Sequence, residues 1–182
     1  LASTLFQFKE LGKVEAPESL KIQSFRPSFY MEREEDGSIR LDMQFQYETC
    51  LVTTRNELDN LPFASDIQLE KQIFQLALSA GFEADFCSWR QSLKAEAVHT
   101  FFQEVLPAFE ALGELKISES LQNLYQVQKP QIHISSKGSL LEIQFDFQDI
   151  DQEEINRAMK ALVEKQDYYI SSTNQVYYFD EE

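Results

Sequence analysis

Hydrophobic patterning predicts an α+β fold in which antiparallel hairpins pack with amphipathic helices. Three observations carry this expectation. The stretches RPSFYMEREEDGSIRLDMQFQY (26–47) and KPQIHISSKGSLLEIQFDF (129–147) alternate apolar and polar residues around turns that contain glycine. Two others, over 65–81 and 151–166, repeat apolar residues every three to four positions. The chain then reaches YYISSTNQVYYF (168–179), a third pair of aromatic runs about a polar turn.

Taken in order, LASTLFQFKELG reads as a short helix that stops at Gly12, and a polar linker follows through Pro17, so residues 1–16 form a lead-in to a domain over 17–182. In the first hairpin Asp36-Gly37 supplies the positive φ of a tight turn. After it, Ile39, Leu41, Met43, Phe45 and Tyr47 share one face. Next, SDIQLEKQIFQLALSAGF is a helix with a capping-box pair at Ser65 and Gln68. Its stripe is Leu69, Ile73, Leu76, Ala77 and Ala80, and it ends at Gly81. A second helix, 93–112, puts Ala97, Phe101, Val105, Ala108, Phe109 and Leu112 on one side; Pro107 is expected to kink or split it, and Gly113 closes it.

A turn of helix after Ser118 leads to the hairpin around Gly138. From Asp151 the period becomes helical again. Asp151 is expected to cap this helix and Glu154 to reciprocate, with Ile155, Ala158, Met159, Leu162 and Val163 as the buried stripe and an end near Gln166. The two long hairpins also echo each other: each opens on a basic residue and proline, turns at Gly-Ser, and is followed by a capped helix and an aromatic strand. Either this is a duplicated hairpin-helix-strand unit, with halves 17–92 and 113–182 joined by helix 93–112, or two amphipathic hairpins are alike by chance.

Charge narrows the function. Thirty-one acidic residues against 16 basic give −15 at pH 7, a field that repels nucleic-acid phosphates. Residues 141–182 hold 11 acidic and 3 basic side chains, so the last aromatic hairpin lies in an acidic region. The 2 cysteines, Cys50 and Cys87, lack metal-ligand spacing and read as buried free thiols of a reducing compartment. No apolar run is long enough to span a bilayer and no signal segment opens the chain, so a cytoplasmic location is expected. The chain begins inside what reads as a structured segment, as a fragment of a larger protein would.

Motifs that carry chemistry are sparse. Glu96 and His99 stand three apart on a helix, but a carboxylate-bridged metal site needs a second such pair, and His133 has none. Asp149, Asp151 and Glu153 imitate a calcium loop but lack its turn glycine and its last acid, so helix capping explains them better. Neither a dinucleotide-binding nor a phosphate-loop glycine pattern occurs among the 5 glycines, nor a nucleophile elbow. No catalytic, cofactor or metal residue is therefore assigned. The remaining candidates are the rings Tyr168, Tyr169, Tyr177, Tyr178 and Phe179 as partner contacts. One face of their hairpin should pack on the preceding helix, leaving the other for a partner. A base-stacking role for these rings and a scaffold that recruits another protein are the alternatives.

Arg55 after the first hairpin, Glu70 in the helix ending Gly81-Phe82, the strand LLEIQFDF, the capped IDQEEI helix, and Lys165 to Tyr169 before a last aromatic strand together resemble the bacterial Swi/Snf-family helicase-associated domain. The likeness runs from about Pro17 to Phe179. Two features depart from the family pattern: Ile170-Ser171 stand where Arg-Leu tends to follow the twin tyrosines, and Thr173-Asn174-Gln175 where a glycine tends to sit. The resemblance implies a non-enzymatic accessory domain preceding the two-lobed ATPase motor of a bacterial DNA translocase. ATP and Mg would belong to that motor, the motor itself would be the partner in cis, and DNA would be reached through the parent protein.

Overall fold

The computed structural model describes residues 22–85, 88–128, 131–137, 140–146 and 152–179. The lead-in over 1–16, Pro17, Cys87, the Gly138 turn, Asp149 and Asp151 lie outside the described residues.

The first hairpin joins β2 (Arg26–Arg33) to β3 (Ser38–Gln46), with Arg26 opposite Gln46 and Arg33 opposite Ile39. Its turn is a three-residue loop closed by a glycine, instead of the two-residue turn that Asp36-Gly37 suggests. Glu34 O accepts from Gly37 N–H at 3.0 Å, Glu34 N–H donates to Ser38 O at 2.8 Å, and of the turn residues only Gly37 takes a positive φ, +85°. Asp36 spends its carboxylate on the Ser38 N–H (2.8 Å) and hydroxyl (2.6 Å), and these bonds hold its pKa below the usual value.

Around this hairpin a six-stranded sheet forms from β6 (Glu83–Asp85), β7 (Ser88–Ser92), β3, β2 and β8 (Glu114–Ile117) in that order, with β4 (Leu51–Val52) also paired to β3. Antiparallel pairing dominates, but β8 runs parallel to β2. Alternation did not reveal this, because a parallel partner is chosen by the crossover that delivers it. Gly113 allows the approach: a Cβ there would stand 2.2 Å from Pro27 O. Short β1 (Ile22–Gln23) pairs parallel with β5 (Ala64–Ser65).

Strand period 2 sends Phe29, Met31, Ile39, Leu41, Met43, Phe45 and Tyr47 into one core, as expected for the β3 face. The opposite face is polar: Arg40 there bonds Glu32 at 2.8 Å, Asp42 at 3.2 Å and Glu34 at 3.5 Å, while Arg90 reaches Glu34 at 3.0 Å. Like-charged Arg40 and Arg90 are direct cross-strand neighbours, and the Glu34 carboxylate between them relieves the repulsion.

Helix α1 (Arg55–Asp59) carries the capping box, with Thr54 as its cap and Glu57 returning the bond. The box expected at Ser65 and Gln68 is not formed. Asp66 caps α2 (Ile67–Ser79), accepting from the N–H groups of Gln68 and Leu69, and Ser65 joins β5 and gives its hydroxyl to Glu70. The α2 stripe is close to expectation, with Ile73 and Ala77 fully buried and Leu69, Leu76 and Ala80 partly so. It ends in a Schellman motif: Gly81 N–H bonds Leu78 O, Phe82 N–H bonds Ala77 O, and Gly81 has φ +88°.

Helix α3 runs from Ala95–Thr100 through a π-helical turn, Phe101–Val105, into Leu106–Leu112. Pro107 does not split it. The Leu106 N–H reaches back five residues to Phe101 O, and this wider turn absorbs the missing N–H and the ring that would crowd the preceding carbonyls. The inserted residue shifts the buried stripe to Val98, Phe101, Leu106 and Phe109, where uniform 3.6-residue periodicity picks Ala97 and Val105. Phe109 meets Phe29 edge-on at 5.0 Å and Phe82 at 6.3 Å, so α3 seals the sheet.

Ser118 caps α4 (Glu119–Gln122), which leads into β9 (Tyr125–Gln128). The antiparallel pair β10 (Gln131–Lys137) and β11 (Leu140–Asp146) is the second hairpin. Helix α5 (Gln152–Val163) buries Ala158 and Ala161, with Ile155, Met159 and Leu162 partly covered; Val163, placed on the stripe by the sequence, is 78% exposed. The helix stops one turn before Gln166, and Lys165 occupies the left-handed cap position at φ +54°.

Finally β12 (Tyr168–Ile170) and β13 (Val176–Phe179) form the third hairpin, and β13 pairs parallel with β9. The pairings of the two proposed half-units do not repeat. The strand after α2 joins the sheet of its own hairpin through β7, whereas the hairpin after α5 pairs with β9 through β13.

Candidate functional site

The five rings of the last hairpin do not form one open platform. Tyr169 and Phe179 are each 4% exposed and, with the partly covered Tyr177, pack on Ala158 and Ala161 of α5, as the sequence leads one to expect for one face. Tyr169 stacks on Tyr177 at 5.0 Å and lies 5.8 Å from Phe179. Burial drives the Tyr169 phenol well above its ordinary pKa, and its oxygen has no hydrogen-bond partner.

The other face, expected to stay open, lies against the rest of the molecule. Val176 is part of the main core and Tyr168 packs against it, while Tyr178 stacks on His99 of α3 at 3.9 Å and 16°. His99 in turn bonds the Tyr125 hydroxyl through Nδ1 at 2.7 Å, and Tyr125 stacks on Phe102. His99 is thus a joint between α3 and the three-stranded sheet. Tyr168, Tyr177 and Tyr178 keep part of their surface; Ile170, on β12, is 42% exposed.

The hairpin turn is also held. Ser172 N–H donates to Glu154 Oε1 at 2.9 Å, and the Ser172 hydroxyl, foremost, and this N–H draw that carboxyl below its usual pKa, so Glu154 serves this turn. Arg33 Nη2 reaches Asn174 O at 3.5 Å from the end of β2.

A second candidate is a cleft of about 320 Å³ between β3, α1, α2 and β7. Buried Met43, Val52 and Leu58 give it an apolar floor, and exposed Ala84 of β6 lines its edge. Phe74 and Trp89 stack along it, 5.7 Å apart at 21°, and the Arg55 guanidinium stands 5.1 Å above the Phe74 ring. Arg55 also pairs with Asp59 at 3.1 Å, where both side chains are mostly exposed. Beside it, Glu57 accepts from the backbone N–H groups of Thr53 and Thr54, and these bonds hold its carboxyl below the ordinary range. The reading of the sequence missed this cleft. One signal for it was legible, Thr54-x-x-Glu57, a capping box that starts α1 and aims Arg55.

In the main core, beside Phe25 and Phe63, Tyr47 is 1% exposed and burial pushes its phenol pKa up to about 12. Cys50 is a free thiol, half-buried instead of fully buried. Among the described residues, no three His, Cys, Asp or Glu side chains group to hold a metal, and no helix is long and apolar enough to cross a membrane.

Fold and surface together define an α+β domain whose prominent features are packed ring clusters and one aromatic-sided cleft. The chain belongs to the bacterial SNF2 helicase-associated family, whose model matches residues 1–182, as the ordered set of motifs implies. A helicase-associated accessory region is not itself the catalytic motor. No curated protein and no solved structure matches the chain.

Proposed function

We propose that this domain is a non-catalytic accessory module of an SNF2-type, ATP-dependent DNA translocase and that it contacts its own motor in cis. ATP and Mg belong to that motor, and DNA is reached through the parent protein. Membership of the helicase-associated family carries the reading. The net charge of −15 supports it, since an acidic surface suits basic, DNA-handling faces of a motor and discourages direct phosphate contact. The inward stacking of the Tyr169, Tyr177 and Phe179 rings favours motor contact over base stacking. Partner contact through Tyr168, Tyr177 and Tyr178 is confined to their uncovered edges.

The test adds the purified domain to the isolated motor and follows DNA-stimulated ATP hydrolysis over a range of salt. A change in rate that fades as salt rises is expected. An unchanged rate at every salt concentration overturns the proposal. Binding to labelled duplex and single-stranded DNA at about 50 mM salt separates the alternative, because electrostatic contacts are strongest there; micromolar binding would favour a nucleic-acid module.

A further inference from the structure

We propose that the cleft beside α1 is a docking pocket for one apolar or aromatic side chain of a protein partner, adjacent to a carboxylate that Arg55 holds. Its volume, about 320 Å³, lies at the lower end of the range for ligand pockets and suits one side chain better than a large molecule. The walls specify the chemistry of the guest. Phe74 and Trp89 offer stacked ring surface, the floor of Met43, Val52 and Leu58 is apolar, and Ala84 adds a methyl at the edge.

The rim selects an acceptor. Arg55 engages Asp59 through Nε alone, so both Nη groups bond no described residue, and Trp89 Nε1 likewise donates to none. Asp59 shows which group this guanidinium takes. Its pair is solvent-exposed on both sides, 61% and 58%, and such pairs are readily exchanged. Glu57 does not compete, because its carboxylate is tied to the Thr53 and Thr54 N–H groups. A planar fork above a ring wall favours a carboxylate next to an apolar group over either alone. The pocket specifies this chemistry whichever protein presents it, so the inference stands apart from the motor reading.

Trp89 is the single tryptophan, so its fluorescence reports the pocket directly. The 182-residue chain is titrated with N-acetyl-phenylalanine and, separately, with its uncharged amide. Saturable quenching is expected for the acid, with the amide about fivefold weaker. Arg55→Gln, an exposed change that leaves the core intact, should bring the acid to the level of the amide. Ala84→Leu, checked for folding by circular dichroism, should crowd the cleft from its exposed edge and abolish both. No saturable response, equal affinity for acid and amide, or an unaltered response in folded Ala84→Leu each overturns the proposal.

Discussion

The hairpin β2–β3 and the hairpin β12–β13 turn by the same backbone geometry. In each, the first turn residue accepts from the N–H three residues on, at 3.0 Å in Glu34–Gly37 and 3.1 Å in Ser171–Asn174. Each closes with a bond one residue further, at 2.8 Å and 2.9 Å. The left-handed residue is Gly37 in the first, at φ +85°, and Asn174 in the second, at φ +58°. Their surroundings differ. The first hairpin sits inside the large sheet with one face in the core and the other in water; Arg90 holds Glu34 at the start of its turn, but the tip is open, with nothing within 4 Å of a Cβ on Gly37. The second has α5 on one face and the main core and α3 on the other, with its turn tied by Glu154 and Arg33. Turn geometry is thus a local property, whereas the cost of disturbing a hairpin depends on what covers it.

The largest test of that difference truncates an inward ring in each. Phe29→Ala, at 2% exposure in the main core, should cost about 3–5 kcal/mol, and Phe179→Ala in the smaller cluster about 2–3 kcal/mol, as read from urea midpoints. Equal losses would erase the distinction between the two packing environments. Next comes the parallel seam that anchors the first hairpin. Gly113→Ala drives a Cβ into the Pro27 backbone and should cost about 3 kcal/mol, with the β2–β8 amides losing hydrogen-exchange protection first.

Alkaline pH probes both hairpins, because Tyr47 and Tyr169 have burial-raised pKa values. Above the ordinary value of 10.0 the unfolded chain releases the Tyr47 proton while the folded chain keeps it. The contribution is therefore whole below pH 10 and falls as pH climbs toward 12. Tyr47→Phe should remove a loss on the order of 2 kcal/mol between pH 9 and pH 12 in denaturant titrations. At neutral pH the same change should cost little, since the buried hydroxyl makes no hydrogen bond of good geometry and has only the Ser65 side chain near it.

The smallest effects lie at the turns and have opposite signs. Gly37→Ala strains a left-handed position and should destabilise by about 1 kcal/mol, while Asn174→Gly relieves one and should stabilise by about 0.5 kcal/mol. A melting series resolves both; a stabilising Gly37→Ala would break the equivalence of the two turns.

From the sequence alone, the α+β class, the first and last hairpins, the inward face of β3, the α2 stripe and the α5–hairpin contact were legible, because each rests on short-range periodicity. The family resemblance was legible from ordered motifs of the same kind. Other features were decided in three dimensions. The π-turn before Pro107 moved the α3 stripe to Val98 and Leu106. Asp66 outcompeted Ser65 as the cap because Ser65 was drawn into β5 and toward Glu70. The parallel pairings of β8 and β9, the covering of Tyr178 by His99, and the cleft that unites Arg55, Phe74 and Trp89 all join residues far apart in the chain. Local pattern determines which way a side chain faces along its own element; only the assembled fold determines what it then meets.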